Sequence, residues 1–203
     1  GDSGKGAIKR GLGIGVCTWG GAGHASQCRT NIHPDGTVEV ELGSQDLGTG
    51  TRTIIVMVAA ETLGLPVGSI KLNIGDNKYP PSGASGGSTT VGGVSSSTRK
   101  STMNALEKLF EVVAPSLDAP ADQLEAVDGK IQVKGNPAKS LPWKAACKKL
   151  GVNPISAMGE NQPKLAPKEG LNTGNVAGVQ IADVSVDTET GIIKMDRLVV
   201  VQD

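Results

Sequence analysis

Residues 43–50, Gly-Ser-Gln-Asp-Leu-Gly-Thr-Gly, and residues 82–93, Ser-Gly-Ala-Ser-Gly-Gly-Ser-Thr-Thr-Val-Gly-Gly, are the two stretches whose residue types could do chemistry. Both are made of small residues and both run toward a predicted helix. Consecutive small residues let backbone N–H groups come close to a ligand, and a helix N-terminus adds unpaired donors and partial positive charge. A phosphate or another anionic polar ligand is the natural guest. Thr49, Thr51, Ser88, Thr89 and Thr90 add hydroxyl donors. Taken singly, the first stretch could be no more than a lead into a helix and the second a flexible linker. One helix and one strand separate them, a connection that can bring them side by side. The residues by themselves point to an anion-binding surface and no further.

Other chemistry is excluded by pattern. Gly11-x-Gly13-x-Gly15 resembles a dinucleotide fingerprint, but the G-x-G-x-x-G register fails at Val16 and at Thr18, and no helix follows. No phosphate-binding G-x-x-x-x-G-K-[ST] loop is present. His24 and His33 are isolated, and no Ser or Cys nearby has the setting of an activated nucleophile. Asp183, Asp187 and Glu189 gather at a hairpin turn and read as solvated surface. Cys17, Cys28 and Cys147 have neither CxxC spacing nor a His at ligand distance, so three buried free thiols are expected. The 203 residues carry 20 Lys+Arg against 20 Asp+Glu, which removes the electrostatic case for nucleic acid or a membrane surface as partner. No apolar run approaches the roughly 20 residues of a membrane span.

The elements that must position the two loops follow from periodicity. Leu12–Trp19, Ala25–Ile32 and Thr37–Leu42 read as strands, the last two joined as a hairpin by His33-Pro-Asp-Gly36. A largely buried helix is predicted over Thr51–Leu63, with Ile54, Ile55, Val58, Ala59 and Thr62 on one face and Gly64 and Pro66 as its stop. Ile70–Ile74 alternates as a strand. Tyr79–Ser97 has the composition of a linker, leading into an amphipathic helix over Thr98–Val113 whose inward residues are Met103, Leu106, Leu109, Phe110 and Val113. Leu124–Val127 and Ile131–Val133 form a small hairpin, a short helix surrounds Trp143, Ala146 and Leu150, and Asn153–Gly174 reads as a long surface connection. Two strands, Val179–Val186 and Ile192–Val201, close the chain. With 37% hydrophobic residues but one Phe, one Tyr and two Trp, the core must be Val, Ile, Leu and Ala. The fold class is α+β, with a mixed and antiparallel sheet and helices packed on one face. Two regions are expected: 1–114, carrying the glycine-rich loops, and 115–203, ending in the strand pair.

Read together, Gly43-Ser-Gln-Asp-Leu-Gly-Thr-Gly-Thr-Arg-Thr53, Ala59-Ala-Glu-Thr-Leu-Gly-Leu-Pro66, Ile74-Gly-Asp76, Pro80-Pro-Ser-Gly-Ala-Ser-Gly-Gly-Ser-Thr-Thr90 and Gly178-Val-Gln-Ile-Ala-Asp-Val-Ser-Val-Asp-Thr-Glu-Thr-Gly191 resemble the molybdopterin-binding large subunit of the xanthine dehydrogenase and aldehyde oxidase family. The resemblance implies that the loops hold a pyranopterin dithiolene and its phosphate tail, in bacteria usually a cytosine dinucleotide. Gln45, Gly48, Thr49 and Gly50 would lie against the pterin. Gly86, Gly87, Ser88, Thr89 and Thr90 would lie against the pterin or its phosphate. Molybdenum is bound in this family by the dithiolene and small inorganic ligands, so no protein metal ligand is expected. Thr49 departs from the family, in which many members carry a longer Gln that hydrogen-bonds the cofactor. The family's earlier Gly-Gly-Phe-Gly-type loop is absent, and its catalytic Glu belongs after the Val199-Val-Val201 strand, beyond Asp203.

The resemblance therefore implies part of the cofactor-binding subunit of a molybdenum hydroxylase that oxidises an aldehyde or N-heterocycle with water as oxygen source. The implied partners are the remainder of the large subunit and iron–sulfur and FAD domains or subunits. The chain starts without Met and stops directly after a strand, so a piece of a longer protein is expected, inactive and without cofactor by itself. The alternative is a stand-alone non-enzymatic module that binds an anion or serves assembly.

Overall fold

The computed structural model describes residues 5–19, 23–163 and 176–202. Contacts divide the chain into two compact units, Gly1–Gly21 with Pro167–Asp203, and Ala22–Ala166. Position 114 falls inside a continuous helix of the second unit.

In the Ala22–Ala166 unit, β2 (Ser26–Ile32) and β3 (Val38–Leu42) form the expected antiparallel hairpin around Pro34-Asp-Gly36. Both strands strictly alternate buried with half-buried residues, the sign of a sheet with one face on the core. Helix α1 (Thr51–Leu63) crosses over to β4 (Ile70–Ile74), which pairs parallel with β3. The helix ends at Gly64 in the left-handed region (φ 61°), where its N–H reaches back to Glu61 O. The buried face of α1 is Thr51, Ile55, Ala59, Ala60 and Leu63, while Met57 points to solvent.

Helix α2 spans Thr90–Leu117, eight residues earlier than composition suggested. Gly92, Gly93 and Ser95–Ser97 are poor helix formers, and tertiary packing overrides them. Their smallness lets α2 lie directly on β2 and on β8 (Ile155–Asn161), a strand that lies inside the expected surface connection. A Cβ added at Gly159 would fall on Ser101 N, 2.6 Å from Ser97 O and 2.8 Å from Lys100 C. Buried hydroxyls lace the same seam, with Ser26 Oγ 2.9 Å from Ser97 Oγ and Thr30 Oγ1 2.8 Å from Ser101 Oγ. Leu106, Leu109 and Val113 are buried as expected, and Met103 is exposed.

The sheet order is β4-β3-β2-β8, so β8 is an edge. Its outward carbonyls at Glu160, Met158 and Ser156 accept from Lys100 Nζ, Asn104 Nδ2 and Lys108 Nζ, one helical turn apart on α2. Charged and amide side chains thus occupy acceptors that an incoming strand would use.

A smaller antiparallel sheet of β5 (Leu124–Val127), β6 (Lys130–Val133) and β7 (Asn136–Pro142) follows, with α3 (Trp143–Cys147) after it. The third strand is a departure from the simple hairpin expected. It bears Pro137 and Pro142, which an edge strand tolerates. The core is aliphatic, with Ile32, Leu42, Ile55, Leu63, Leu109, Leu124 and Ile131 essentially inaccessible.

The other unit is a three-stranded antiparallel sheet in the order β1-β9-β10, formed by β1 (Ile8–Trp19), β9 (Val176–Asp187) and β10 (Ile193–Gln202). At the β9–β10 turn, Asp187 Oδ1 accepts from the N–H groups of Glu189 (2.9 Å) and Thr190 (3.2 Å). Cys17 on β1 is exposed, against expectation, while Cys28 and Cys147 of the other unit are buried. The architecture is α+β, three helices and three sheets among the described residues. The rest of the expected surface connection, residues 164–174, lies outside the described residues.

Candidate functional site

The two glycine-rich loops are adjacent. Ser85 Oγ donates to Gln45 Oε1 across 2.9 Å, and Gly43 N donates to Pro80 O across 2.7 Å. The second loop is also stitched to the start of β2, through Gln27 N to Pro81 O (2.8 Å) and Gly83 N to Ala25 O (2.9 Å). The β3-α1-β4 crossover that sequence order allowed is the connection that brings them together.

In the first loop, Gly48 (φ 93°) and Gly50 (φ 82°) adopt left-handed backbone that side chains resist. Asp46 organises the turn: Oδ1 accepts from Gly48 N at 2.9 Å and Oδ2 from Arg52 N at 3.0 Å. These backbone donors hold its carboxyl below its ordinary pKa, with the Arg52 N–H contributing most. The start of α1, expected to offer its donors to a bound anion, is therefore occupied by the chain's own carboxylate. Gln45, Gly48 and Thr49 are exposed, and Thr49 Oγ1 lies 3.4 Å from Thr51 Oγ1. Thr51 is buried, as is Ser44, whose hydroxyl has no partner among the described residues.

In the second loop, Gly87 (φ 59°) and Ser88 (φ 58°) are consecutive left-handed residues. Ser88 is the unusual one, because a Cβ makes that region costly by about 1–2 kcal/mol. Thr89 Oγ1 donates to Gly86 O at 2.8 Å and so does not cap α2, which begins with no side-chain cap. Gly86, Gly87 and Ser88 are exposed, while Thr90 is buried as the first residue of the helix, which turns an expected hydroxyl donor away from the surface.

The glycines fall into two groups. Gly83 and Gly93 are packed against the His24 ring, so internal contact explains them. A Cβ at Gly48, Gly50 or Gly86 would meet nothing within 4 Å, and one at Gly87 only Thr89 Cγ2 at 3.9 Å. Left-handed backbone accounts for Gly48, Gly50 and Gly87, but Gly86 has neither a left-handed φ nor a close neighbour. Among the described residues nothing requires glycine there.

A cleft of about 340 Å³ lies beside the anchor of the second loop, lined by Ser26, Gln27, Pro81, Ser82 and Glu160–Gln162. None of the four open glycines lines it. No cluster of His, Cys, Asp or Glu among the described residues could hold a metal ion. Sequence reasoning missed His24, Asn161 and Ser82, which hold the second loop in place. Only the Asp46-x-Gly48 spacing, a side-chain turn pattern, could have revealed Asp46 as a cap.

The family described as "Molybdopterin cofactor-binding domain" matches residues 2–203. The aldehyde oxidoreductase molybdenum-binding subunit PaoC of Escherichia coli O157:H7 is 38% identical over 106 residues, which are 52% of this chain and 14% of that protein. The 6-hydroxypseudooxynicotine dehydrogenase complex subunit gamma of Paenarthrobacter nicotinovorans is 25% identical over 191 residues, 90% of this chain and 23% of that one. Quinoline 2-oxidoreductase from Pseudomonas putida 86 superposes with a TM-score of 0.81 at 20% identity, over 97% of this chain and 27% of that one. The chain spans about a quarter or less of the length of these relatives. With the whole described sequence matched and two glycine-rich loops hydrogen-bonded to each other, the chain belongs to the molybdopterin cofactor-binding domain family of molybdenum hydroxylase large subunits.

Proposed function

We propose that the paired loops hold the pterin and phosphate of a molybdopterin, with Gln45, Gly48, Thr49 and Gly50 on one side and Gly86, Gly87, Ser88, Thr89 and Thr90 on the other. The single observation that carries this reading is Gly86, a glycine that neither backbone conformation nor internal packing demands, exposed beside a hydrogen bond that joins the loops. An external group that approaches the backbone closely supplies the missing reason. The donor set fits such a group. Backbone amides and the exposed hydroxyls of Thr49 and Ser88 suit a polar, anionic cofactor that brings its own metal ligands. The start of α2, without a side-chain cap, is the better place for phosphate, since Asp46 takes the start of α1.

When bound, the group supplies the redox chemistry of hydroxylation. The residues of this chain bind and orient it. Asp46, the one carboxylate in the two loops, is bonded to two backbone amides and held ionised, so it shapes the loop and moves no proton. Proton transfer then falls to residues outside the two loops, and the domain is proposed to be inactive alone. The complete protein oxidises an aldehyde or an N-heterocycle with water as the oxygen source, passing electrons to iron–sulfur and flavin partners. The remainder of the large subunit covers the three-stranded sheet, on which Leu12, Ile14 and Val16 are 69%, 67% and 74% exposed.

The test uses the complete subunit isolated from its host. Gly86→Val, whose Cβ meets nothing within 4 Å among the described residues, should remove most of the molybdenum and pterin, as should Gly87→Val. Unchanged cofactor content in both variants would sink the assignment.

A further inference from the structure

His24 is an isolated histidine by sequence, just ahead of β2. In the fold it touches both ends of the second glycine-rich loop. Nδ1 lies 3.3 Å from Ala84 O and Nε2 lies 3.1 Å from Ser82 Oγ, at the loop's start. At its far end, His24 N donates to Thr89 O across 3.0 Å. The ring itself fits between two glycines. A Cβ at Gly83 would come within 2.9 Å of His24 Cγ, and one at Gly93 within 2.5 Å of His24 O and 3.0 Å of Nε2. The backbone of Gly23 likewise lies against Gly92 and Gly93, where a Cβ would come within 2.5 Å. His24 is held in turn by Asn161, whose Nδ2 donates to His24 O at 2.8 Å.

We infer that His24 is a positioning residue that clamps the neck of the 82–93 loop and thereby fixes the tip, Ser85–Ser88, that faces the cofactor. A carbonyl only accepts, so the bond to Ala84 O requires a proton on Nδ1, and Nε2 then accepts from the Ser82 hydroxyl. Closing a flexible loop costs conformational entropy that grows with its length. The ring, bonded at Ser82 and Ala84 and packed against Gly93, acts with the His24 backbone N–H on Thr89 O to supply that closure, and the tip can then keep Ser88 in a conformation it would otherwise leave. Packing explains Gly83 and Gly93, and the clamp explains why a polar ring rather than an aliphatic side chain fills the slot. The functional consequence rests on the proposal that this loop holds the cofactor, whereas the clamp itself does not.

The experiment compares hydrogen exchange of peptides covering 82–93 with molybdenum and pterin content in the complete subunit. The variants are His24→Phe, which keeps an aromatic ring, one atom larger, and loses its side-chain hydrogen bonds, Ser82→Ala, and His24→Gln, which restores a side-chain donor and acceptor. Exchange across the loop should rise about tenfold in His24→Phe, with α1 and β2 unchanged, and less in Ser82→Ala. Cofactor content should fall severalfold in His24→Phe and recover in His24→Gln. Unchanged loop exchange in both His24→Phe and Ser82→Ala overturns the clamp, as does a rise spread evenly over the whole unit. If His24→Phe fails to fold, Ser82→Ala decides on the same criterion. Full cofactor in His24→Phe alongside its loss in Gly86→Val overturns the positioning role and leaves the cofactor reading standing. Full cofactor in Gly86→Val and Gly87→Val overturns the reading, and loop exchange still judges the clamp.

Discussion

Gly159→Ala separates packing from ligand binding among the glycines. The added methyl would fall on Ser101 N and lie 2.6 Å from Ser97 O, both backbone atoms of α2, so no rotamer change can relieve it. The helix and β8 must move apart by an appreciable fraction of an ångström. Overpacking of this kind costs about 1–3 kcal/mol. The same movement stretches the buried Ser26–Ser97 and Thr30–Ser101 hydroxyl contacts, now 2.9 and 2.8 Å, each worth about 0.5–1.5 kcal/mol. A total of roughly 2–6 kcal/mol corresponds to a fall in Tm of about 6–24 °C for a unit of this size. The control is Gly86→Ala, where the new methyl meets nothing within 4 Å, and it should leave Tm unchanged or slightly raised. The assay is thermal unfolding followed by circular dichroism on both variants. A Gly159→Ala protein within about 0.5 kcal/mol of the parent would refute the close-packed seam.

Two further outcomes follow from the titratable groups. Asp46→Ala should lower thermal stability at neutral pH. Because the folded state holds this carboxyl below its ordinary value of 3.8, the contribution is fully present above that value and is lost as pH falls through the lower folded one. The gap between variant and parent Tm should accordingly close in acid, and a gap independent of pH would contradict the capping role. Cys147 is pushed up to about 12 by burial, and burial raises Cys28 as well, so in the folded protein at pH 8 a thiol reagent should modify Cys17 alone. Fast labelling of all three cysteines without denaturant would contradict the packing.

What the sequence disclosed, and what it hid, has a physical basis. Val38–Leu42 and Ile70–Ile74 alternate cleanly because one sheet face is buried, and α1 ends where Gly64 and Pro66 end it. Residues 90–97 look like a linker because close approach to β2 and β8 selects glycine and serine, the residues that helix propensity disfavours. β8 is concealed for the same reason: after Ile155 its inward residues, Ala157 and Gly159, are small, so no sustained apolar alternation announces it. The two loops were legible as a pair through composition and order. Their joining bond, Gln45 to Ser85, and the His24 clamp are long-range and leave no local signal. Asp46 reads as a loop residue until its contacts show it occupying the helix start that a ligand was expected to use.

The most direct measurement is an experimental structure of the complete subunit purified with its molybdenum cofactor. The account predicts backbone amides from both Gly48–Gly50 and Gly86–Thr90 within about 3 Å of pterin or phosphate oxygens, with no side chain between Gly86 and the cofactor. A cofactor seated elsewhere, with Gly86 facing water, would contradict it.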